Sequence, residues 1–287
     1  MQDQQSDIRQ ILRVVHVLRK YPWILKTPFN GLQKFVLGQH RILADDLYWE
    51  TVLNAIGIEP KHDLEFYRHE LFDDQLLREC YTRALAEKLI PQKAEGYEAR
   101  LKNRTANVVN YYALIRETRP RVIVETGTAS GSMTSWMLAA LDKNRDGKLI
   151  SIDIPPRAGT LTMDLTLTQE KVGCLIPYEY RQRWEYRAGD AKVLLPETLL
   201  SNDVDIFVHD SLHTRTHMLY EYNVARTLMR PNTLLLSDDI LWNRAFFSFV
   251  VDHGLPSFGC ISNPNLAIAI NSFDEYEQNI GTGLVLL

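Results

Sequence analysis

The feature that most limits the possible fold of this chain is a regular alternation of strand-like and helix-like segments, which begins near residue 121. The strand candidates are RVIVE, KLISID, EYRAG, VDIFVHD, TLLLSDD and finally CISNPNLAIAI with GLVLL. Helix-like stretches separate consecutive strands, as crossover connections between buried parallel strands require. The alternation predicts an α/β fold built on a doubly wound, mostly parallel sheet.

The first third of the chain shows helical patterns only. One apolar stripe at helical spacing consists of five aliphatic residues: Ile8, Ile11, Leu12, Val15 and Leu18. Asp73 or Asp74 could cap a further helix over LLRECYTRALAEKL, and the helix TANVVNYYALIRETRP ends at Pro120. We therefore expect a helical N-terminal region over residues 1–103 and the sheet domain over residues 104–287. The N-terminal helices would serve self-association, cover the functional site, or simply pack on the sheet domain.

Composition excludes several classes of function. The formal net charge is -4 and the Lys and Arg residues are scattered, which argues against nucleic acid as a partner. Cys80, Cys174 and Cys260 lie far apart without a C-x-x-C pair, so we expect no disulfide framework, no zinc knuckle and a reducing, cytoplasmic location. The polar N-terminus and the lack of an apolar run of roughly 20 residues predict neither a signal peptide nor a membrane span.

A glycine-containing turn follows the first strand. In VIVETGTASGSMTSWMLAAL the strand ends at Glu125, the turn contains Gly127 and Gly131, and a helix begins near Ser132. Glycine lets the backbone pass close to a ligand, and the exposed N–H groups at a helix start favour a carboxylate or phosphate. The spacing is not G-x-G-x-x-G, so the dinucleotide fingerprint is missing. Many α/β proteins also need glycine at such a turn for packing alone.

This turn resembles motif I of class I methyltransferases, in which an acidic residue precedes a glycine-containing turn. The resemblance implies a Rossmann-like methyltransferase sheet that binds S-adenosylmethionine. It places the cofactor's methionine end at Glu125, Gly127, Thr128, Gly131 and Ser132.

The next two strands end in acidic residues that the same resemblance assigns to the cofactor. Asp153, which closes KLISID, would accept hydrogen bonds from the ribose hydroxyls, and Asp190 would contact the adenine. Both residues have a second interpretation. Asp153 could be a capping or turn residue before Pro155, and Asp190 could cap the helix AKVLLPETLL.

Acidic and histidine side chains follow the fourth and fifth strands. Asp210 and His213 come from VHDSLHT, and Asp238 and Asp239 come from LLLSDD. Converging carboxylates repel one another unless a cation lies between them, and oxygen ligands suit magnesium, manganese or calcium. Adjacent aspartates in an extended strand point to opposite faces, so both reach one ion only if the strand ends in a turn. Helix capping, or a solvated histidine, is the alternative interpretation.

This second pattern is similar to metal-dependent small-molecule O-methyltransferases. D-x-x-H followed by an acidic pair resembles the macrocin-type and rhamnosyl sugar O-methyltransferases and the cephalosporin hydroxylase-like group, over roughly residues 104–272. The resemblance implies that Asp210, Asp238 and Asp239 bind Mg²⁺ and that His213 is the general base. This chain has Asp-Asp where the macrolide-sugar enzymes have Glu-Asp.

Other histidines and aromatic residues near these strands have structural interpretations. His209 should face away from Asp210 by strand alternation, and His217 lies on a helix with an apolar face, so both are left outside the predicted site. Trp242, Asn243 and Phe246 could line an acceptor pocket, although packing in a helix is expected of the aromatics.

Together these observations predict a metal-dependent enzyme that methylates a hydroxyl group of a small molecule. The expected acceptor is a sugar or another vicinal diol of a natural product, such as a catechol, and the expected assembly is a homo-oligomer. One alternative is a binding or assembly protein whose cofactor pocket survives without turnover. Another is a nicotinamide-dependent oxidoreductase on a similar sheet.

Overall fold

Eight strands of the described part of the chain form a single sheet. A computed structural model describes residues 40–43, 45–90, 96–98, 101, 105–154, 171–260 and 267–271. The strands are β1 (His40–Leu43), β2 (Val122–Thr126), β3 (Lys148–Asp153), β4 (Trp184–Ala188), β5 (Ile206–His209), β6 (Thr233–Ser237), β7 (Ser257–Cys260) and β8 (Ala267–Asn271). The predicted stripe from Ile8 to Leu18 and the run GLVLL lie outside the described residues.

The order of the strands across the sheet is β1-β7-β8-β6-β5-β2-β3-β4. The five strands from β6 to β4 are mutually parallel, and β8 runs antiparallel to both of its neighbours, β6 and β7. Strand β2 lies in the middle of the parallel set, and the order of connection reverses there because β3 and β5 pair on its two sides. This arrangement confirms the predicted doubly wound, mostly parallel sheet.

Helices pack on both faces of the sheet. They are α1 (Asp45–Ala55), α2 (Leu64–Phe72), α3 (Gln75–Ala86), α4 (Thr105–Thr118), α5 (Ser132–Asn144), α6 (Ala191–Ser201), α7 (Arg215–Leu228) and α8 (Ala245–Asp252), with a short 3₁₀ helix at Tyr178–Arg183. Asp74 caps α3 by accepting a hydrogen bond from the backbone N–H of Leu77, which decides between the two predicted caps. Among the described residues, no helix is long and apolar enough to cross a membrane.

Two hydrophobic clusters cover the two faces, and alternation along β2 separates them. Ile123 belongs to the cluster beneath α1 to α5, and Val124 belongs to the cluster beneath α6, α7 and α8. Side chains of successive strand residues point to opposite faces, so neighbouring residues enter different cores. Val52 of α1 and Trp136 of α5 lie in the same cluster, so the described N-terminal helices share a core with the sheet.

The prediction that the first third is entirely helical is wrong. Residues His40–Leu43 form an edge strand that pairs in parallel with β7, from His40 opposite Ser257 to Leu43 opposite Cys260. This strand has four residues, and its partner lies more than two hundred residues away in the chain. A strand this short carries too few residues to show a periodic pattern, so local sequence could not reveal it.

Candidate functional site

The sequence-predicted site residues lie along one edge of the sheet. Five parallel neighbours end there in the order β4, β3, β2, β5 and β6. The residues at or just beyond these ends are Asp190, Asp153, Gly127, Asp210 and Asp238 with Asp239. In open α/β sheets the crevice at the carboxyl edge, near the point where the strand order reverses, is where ligands bind.

The glycine turn is in direct backbone contact with the loop after β5. Gly127 has a φ of +87°, and a Cβ placed on it would lie 1.9 Å from the carbonyl oxygen of Asp210. The N–H of Asp210 in turn donates to the carbonyl of Thr126, with an N to O distance of 2.9 Å. Gly131 has a φ of +80° and precedes α5 as its N-cap. Only glycine fits at position 127, and the absence of its side chain lets the two loops meet.

Asp153 is hydrogen-bonded to the backbone of the glycine turn. Its Oδ2 accepts hydrogen bonds from the backbone N–H groups of Thr128, at 2.9 Å, and Ala129, at 3.0 Å. The hydroxyl of Thr128 is buried and has no hydrogen-bond partner among the described residues. Buried hydroxyls are nearly always paired, so this one marks a position where a ligand could supply the missing partner.

Ser132 and Asp190 also have local partners. The Ser132 hydroxyl lies 3.3 Å from the hydroxyl of Tyr81, so a helix of the N-terminal region reaches the turn. Asp190 caps α6 by accepting a hydrogen bond from the N–H of Lys192 at 2.9 Å, as its second interpretation predicted. Its predicted contact with adenine stays a prediction.

Glu125 lies inside the protein beneath the turn. It is fully buried, and its carboxyl group is hydrogen-bonded to the hydroxyls of Thr134 and Ser151. Burial raises the pKa of Glu125 to about 8, against the opposing effect of these two hydrogen bonds. At neutral pH the folded protein therefore keeps Glu125 protonated.

This buried proton makes stability depend on pH. The pKa is higher in the folded state than in the unfolded chain, so the unfolded chain releases the proton first and the folded state loses stability as pH rises toward 8. Gln cannot ionise, so the Glu125→Gln variant should gain stability relative to the parent between pH 5 and pH 8, by at most about 4 kcal/mol. Urea unfolding at the two pH values measures the difference. Glu197→Gln, at an exposed position, should show none, and parallel behaviour of both variants would contradict the assignment.

His213 lies between two of the predicted carboxylates. Its Nε2 is 3.9 Å from Oδ1 of Asp210 and its Nδ1 is 3.8 Å from Oδ2 of Asp239, distances that are too long for hydrogen bonds. The ring is mostly buried, and Nε2 has no hydrogen-bond partner among the described residues. Burial and the neighbouring His209 lower the pKa of His213 to about 4, so the imidazole is neutral at pH 7 and can accept a proton.

Asp238 and Asp239 lie in a turn at the end of β6. Asp239 has a φ of +51°, and Oδ1 of Asp238 accepts a hydrogen bond from the N–H of Asp239 at 2.8 Å. Strand β6 therefore ends in a turn at this point, which is the condition that the sequence set for both aspartates to reach one ion. Among the described residues, however, no group of three or more His, Cys, Asp or Glu side chains is arranged to hold a metal ion.

Trp242, Asn243 and Phe246 have three different environments. Phe246 is fully buried in the core beneath α8, as expected of a packed helix residue. Asn243 donates from its side-chain amide to the carbonyl of His213 at 3.1 Å. Trp242 is 51% exposed, and its ring centroid lies 5.6 Å from that of His213. Trp242 therefore presents an accessible aromatic face beside the candidate base.

Sequence reasoning missed Glu221, a fully buried residue of α7. Its carboxyl group contacts Nδ1 of His209 at 2.5 Å and Nε2 of His217 at 2.8 Å. Burial alone raises the pKa of Glu221, but the hydrogen bonds to the two histidines outweigh it and lower the pKa to about 2. An acidic residue on the apolar stripe of a helix, four residues after a histidine, is the sequence signal that could have identified it.

His209 and His217 therefore lie closer to the site than their sequence pattern indicated. His209 is fully buried, as predicted, yet its ring contacts that of His213 edge to face, with centroids 5.3 Å apart. Both histidines are linked through Glu221 to the loop that carries His213.

Comparison with known proteins finds a matching family model and several similar solved structures. Residues 124–240 match the model of a family described as a methyltransferase domain. No curated protein matches the chain.

The solved structures to which the chain is similar include two that are covered over most of their own length. An O-methyltransferase from Bacillus cereus in complex with SAH is 14% identical, covers 69% of this chain and 91% of its own, and has a TM-score of 0.46. The O-methyltransferase TomG from Streptomyces achromogenes, in complex with SAM, is 15% identical, covers 78% and 95%, and has a TM-score of 0.45. A structure named cmcI-D160 Mg-SAM is 22% identical, covers 52% and 59%, and has a TM-score of 0.36.

The matched region contains the parts of the sheet edge that hold the site. It begins in β2 at Val124, includes the glycine turn, Asp153 and His213, and ends one residue after Asp239. Residues 124–240 of this chain are therefore similar to a methyltransferase domain.

Proposed function

We propose that this protein is an S-adenosylmethionine-dependent O-methyltransferase that acts on a hydroxyl group of a small molecule. The observation that carries the proposal is the mostly buried, neutral imidazole of His213, held at the sheet edge next to the glycine turn of a methyltransferase domain. A base is needed at this position because a neutral alcohol is a poor nucleophile.

Residues around the glycine turn would hold the cofactor. The proposed set consists of Glu125, Gly127, Thr128, Gly131, Ser132, Asp153 and Asp190. The buried hydroxyl of Thr128, which has no hydrogen-bond partner among the described residues, supports this placement, as do the positive φ angles of Gly127 and Gly131. Glu125 would act from beneath the turn, since its carboxyl group is enclosed by Thr134 and Ser151.

The acceptor half of the site would contain His213. When bound, S-adenosylmethionine would supply an electrophilic methyl group for transfer to the acceptor oxygen, with the electron pair of the broken carbon–sulfur bond left on sulfur. His213 would accept the hydroxyl proton on its nitrogen. Nε2 has no hydrogen-bond partner among the described residues, so an acceptor hydroxyl would satisfy it.

The accessible face of Trp242 supports an acceptor with a flat or apolar ring face. Leu212, which directly precedes His213, is also exposed, at 58%. A catechol or the apolar face of a sugar could rest on these side chains while presenting a hydroxyl to His213. We therefore propose a sugar or another vicinal diol of a natural product as the acceptor.

Dependence on a divalent metal, Mg²⁺ in the first place, is a separate part of the proposal. It rests on the hard carboxylate oxygens of Asp210, Asp238 and Asp239, which follow two neighbouring strands. The described side chains as placed do not fit an ion, because they form no group of three ligands. Base catalysis by His213 is therefore proposed independently of the metal.

The setting of the enzyme is proposed from the sequence. We propose a cytoplasmic location and no nucleic-acid partner, because the cysteines lack paired spacing and the cationic residues are scattered. We propose a homo-oligomer because the apolar stripe of the N-terminal sequence must be buried against a partner surface. A binding or assembly protein without turnover is the second candidate. The methyltransferase family match argues against the third, a nicotinamide-dependent oxidoreductase.

An assay with a labelled methyl group tests the proposal. The protein is incubated with S-adenosylmethionine carrying a radioactive methyl group and with a panel of acceptors that includes 3,4-dihydroxybenzoate and methyl α-rhamnoside. We expect label in an ether product of at least one diol and none with the matched deoxy compounds. Cofactor binding by calorimetry without turnover on any acceptor would favour the assembly protein.

Chelation tests the metal separately. If Asp210, Asp238 and Asp239 bind an ion that catalysis needs, exhaustive EDTA treatment should abolish label transfer and added Mg²⁺ should restore it. Undiminished transfer after chelation would remove the metal from the proposal and leave His213 as the base.

A further inference from the structure

Glu221 collects hydrogen bonds from four places around the candidate site. Its Oε2 accepts from the hydroxyl of Thr126 at 2.7 Å and contacts Nδ1 of His209 at 2.5 Å. Its Oε1 accepts from the hydroxyl of Ser211 at 3.0 Å and contacts Nε2 of His217 at 2.8 Å. Both carboxylate oxygens are thus fully used, and the side chain has no exposed surface.

Three of these partners are next in sequence to residues of the proposed site. Thr126 immediately precedes Gly127, and His209 and Ser211 immediately precede and follow Asp210. One carboxylate on α7 therefore connects the end of β2, the end of β5 and the loop that leads to His213.

His209 carries the connection to the candidate base. Glu221 is hydrogen-bonded to Nδ1 of His209. The His209 ring also packs edge to face against the His213 ring, with an interplanar angle of 79°. Nε2 of His209 has no hydrogen-bond partner among the described residues, so Glu221 is the hydrogen-bonding group that orients this ring. Rotation of His209 would displace His213, since both rings are packed in a mostly buried space.

A buried carboxylate is a costly way to fill an interior position. An apolar residue would pack beside Met218 and Tyr222 on the same stripe of α7 without removing a charge from water. The four contacts compensate for burial, and they do so at the point where the glycine turn and the loop after β5 meet. Glu221 thus fixes the geometry of this junction through hydrogen bonds, which are more directional than apolar packing.

We propose that Glu221 is a positioning residue of the methyl-transfer site, which orients His213 through its hydrogen bond to His209. This inference rests on the proposed function of His213. Replacing the hydrogen-bond partner of a metal-bound residue typically lowers affinity or activity about 10- to 100-fold, and we expect an effect of that order when Glu221 is replaced.

The first test observes the His213 ring without any assay of activity. The full-length protein is labelled with ¹³C and ¹⁵N in its histidines, and the His213 ring signal is assigned by its absence from His213→Ala. We expect Glu221→Gln to move the His213 signal by more than its linewidth and Glu197→Gln, at an exposed position on α6, to leave it in place. An unmoved His213 signal in folded Glu221→Gln would overturn the proposal.

A kinetic double-mutant cycle separates positioning from a general loss of structure. With the acceptor that supports turnover, Glu221→Gln should lower kcat about 10- to 100-fold while the affinity for S-adenosylmethionine changes less than about threefold. In a His213→Ala background the same change should cost less than about threefold, because the residue through which it acts is gone. Equal losses in both backgrounds would overturn the proposal, whereas parental activity of His213→Ala would instead refute the proposed function of His213.

Thr126→Val keeps the test decisive if Glu221→Gln does not fold. Val has nearly the shape of Thr, so this variant removes one hydrogen bond to Glu221 without removing a charge. We expect a smaller loss of kcat in the same direction, on the order of threefold, and a loss in the His213→Ala background that is smaller still. An equal loss of kcat in the parent and in the His213→Ala background would count against the proposal.

Discussion

Replacing His213 with Ala is expected to lower kcat for methyl transfer by roughly 100- to 10,000-fold, the usual contribution of a general base. The imidazole is neutral at pH 7, mostly buried and lacks a hydrogen-bond partner at Nε2 among the described residues. Its removal leaves the acceptor hydroxyl to lose its proton to water, so a residual rate should persist. Transfer of a labelled methyl group measures both the loss of kcat and the residual rate.

Cofactor binding should survive the same substitution. The residues proposed to hold S-adenosylmethionine lie at or just beyond the carboxyl ends of β2, β3 and β4, whereas His213 follows β5. We therefore expect His213→Ala to bind S-adenosylmethionine within about threefold of the parent, a change of less than about 0.7 kcal/mol, in calorimetry. His69→Ala, on an exposed face of α2, is the matched control and should leave both properties unchanged. Parental turnover by His213→Ala near neutral pH would show that the imidazole has a structural role.

Replacing Gly127 with Ala should remove activity and destabilise the fold together. The new Cβ would lie 1.9 Å from the Asp210 carbonyl oxygen and 2.9 Å from the Cα of Ser211, so backbone must move. Left-handed backbone costs a residue with a side chain about 1 to 2 kcal/mol, and the overlap adds to this. A displacement of about 1 Å in the loop that carries Asp210 and His213 could lower turnover by about 100-fold.

Gly57 provides a control that isolates the overlap. It has a similar φ of +76°, but a Cβ placed on it meets nothing within 4 Å. Gly57→Ala should therefore show the left-handed strain alone, with a modest loss of stability and parental activity. Urea unfolding and label transfer are measured for both variants. If the two behave alike, the contact between the glycine turn and the Asp210 loop does not matter for function.

Much of the fold could be predicted because its signals are local. Strands β2 to β6 coincide with the predicted strand segments to within one residue at each end or lie inside them, and α5 begins at Ser132, where the glycine turn predicted a helix. Buried parallel strands are short apolar runs, and glycine is required where φ is positive, so both leave marks in the sequence. The edge strand His40–Leu43 leaves no such mark, because it is defined by its pairing with Ser257–Cys260.

The candidate site was predictable in position and less so in detail. The carboxyl edge of the sheet holds Asp153, Asp210 and His213 as the order of the strands required. Their partners were not predictable. Asp153 holds the turn through the N–H groups of Thr128 and Ala129, and Asp190 caps α6. A sequence shows which groups can form hydrogen bonds, but partners far apart in the chain are chosen by packing.

The sequence by itself determined the doubly wound sheet, the glycine turn and the edge of the sheet at which the acidic residues and His213 lie. These follow from periodicity, from the conformational freedom of glycine and from the rule that parallel strands end on one side. Tertiary structure alone decided that Glu221 joins Thr126, His209, Ser211 and His217. In the sequence, Glu221 is one acidic residue on an otherwise apolar stripe of a helix. A buried charge is stable there only because β2, β5 and α7 meet at this point and bring four polar groups to one carboxylate.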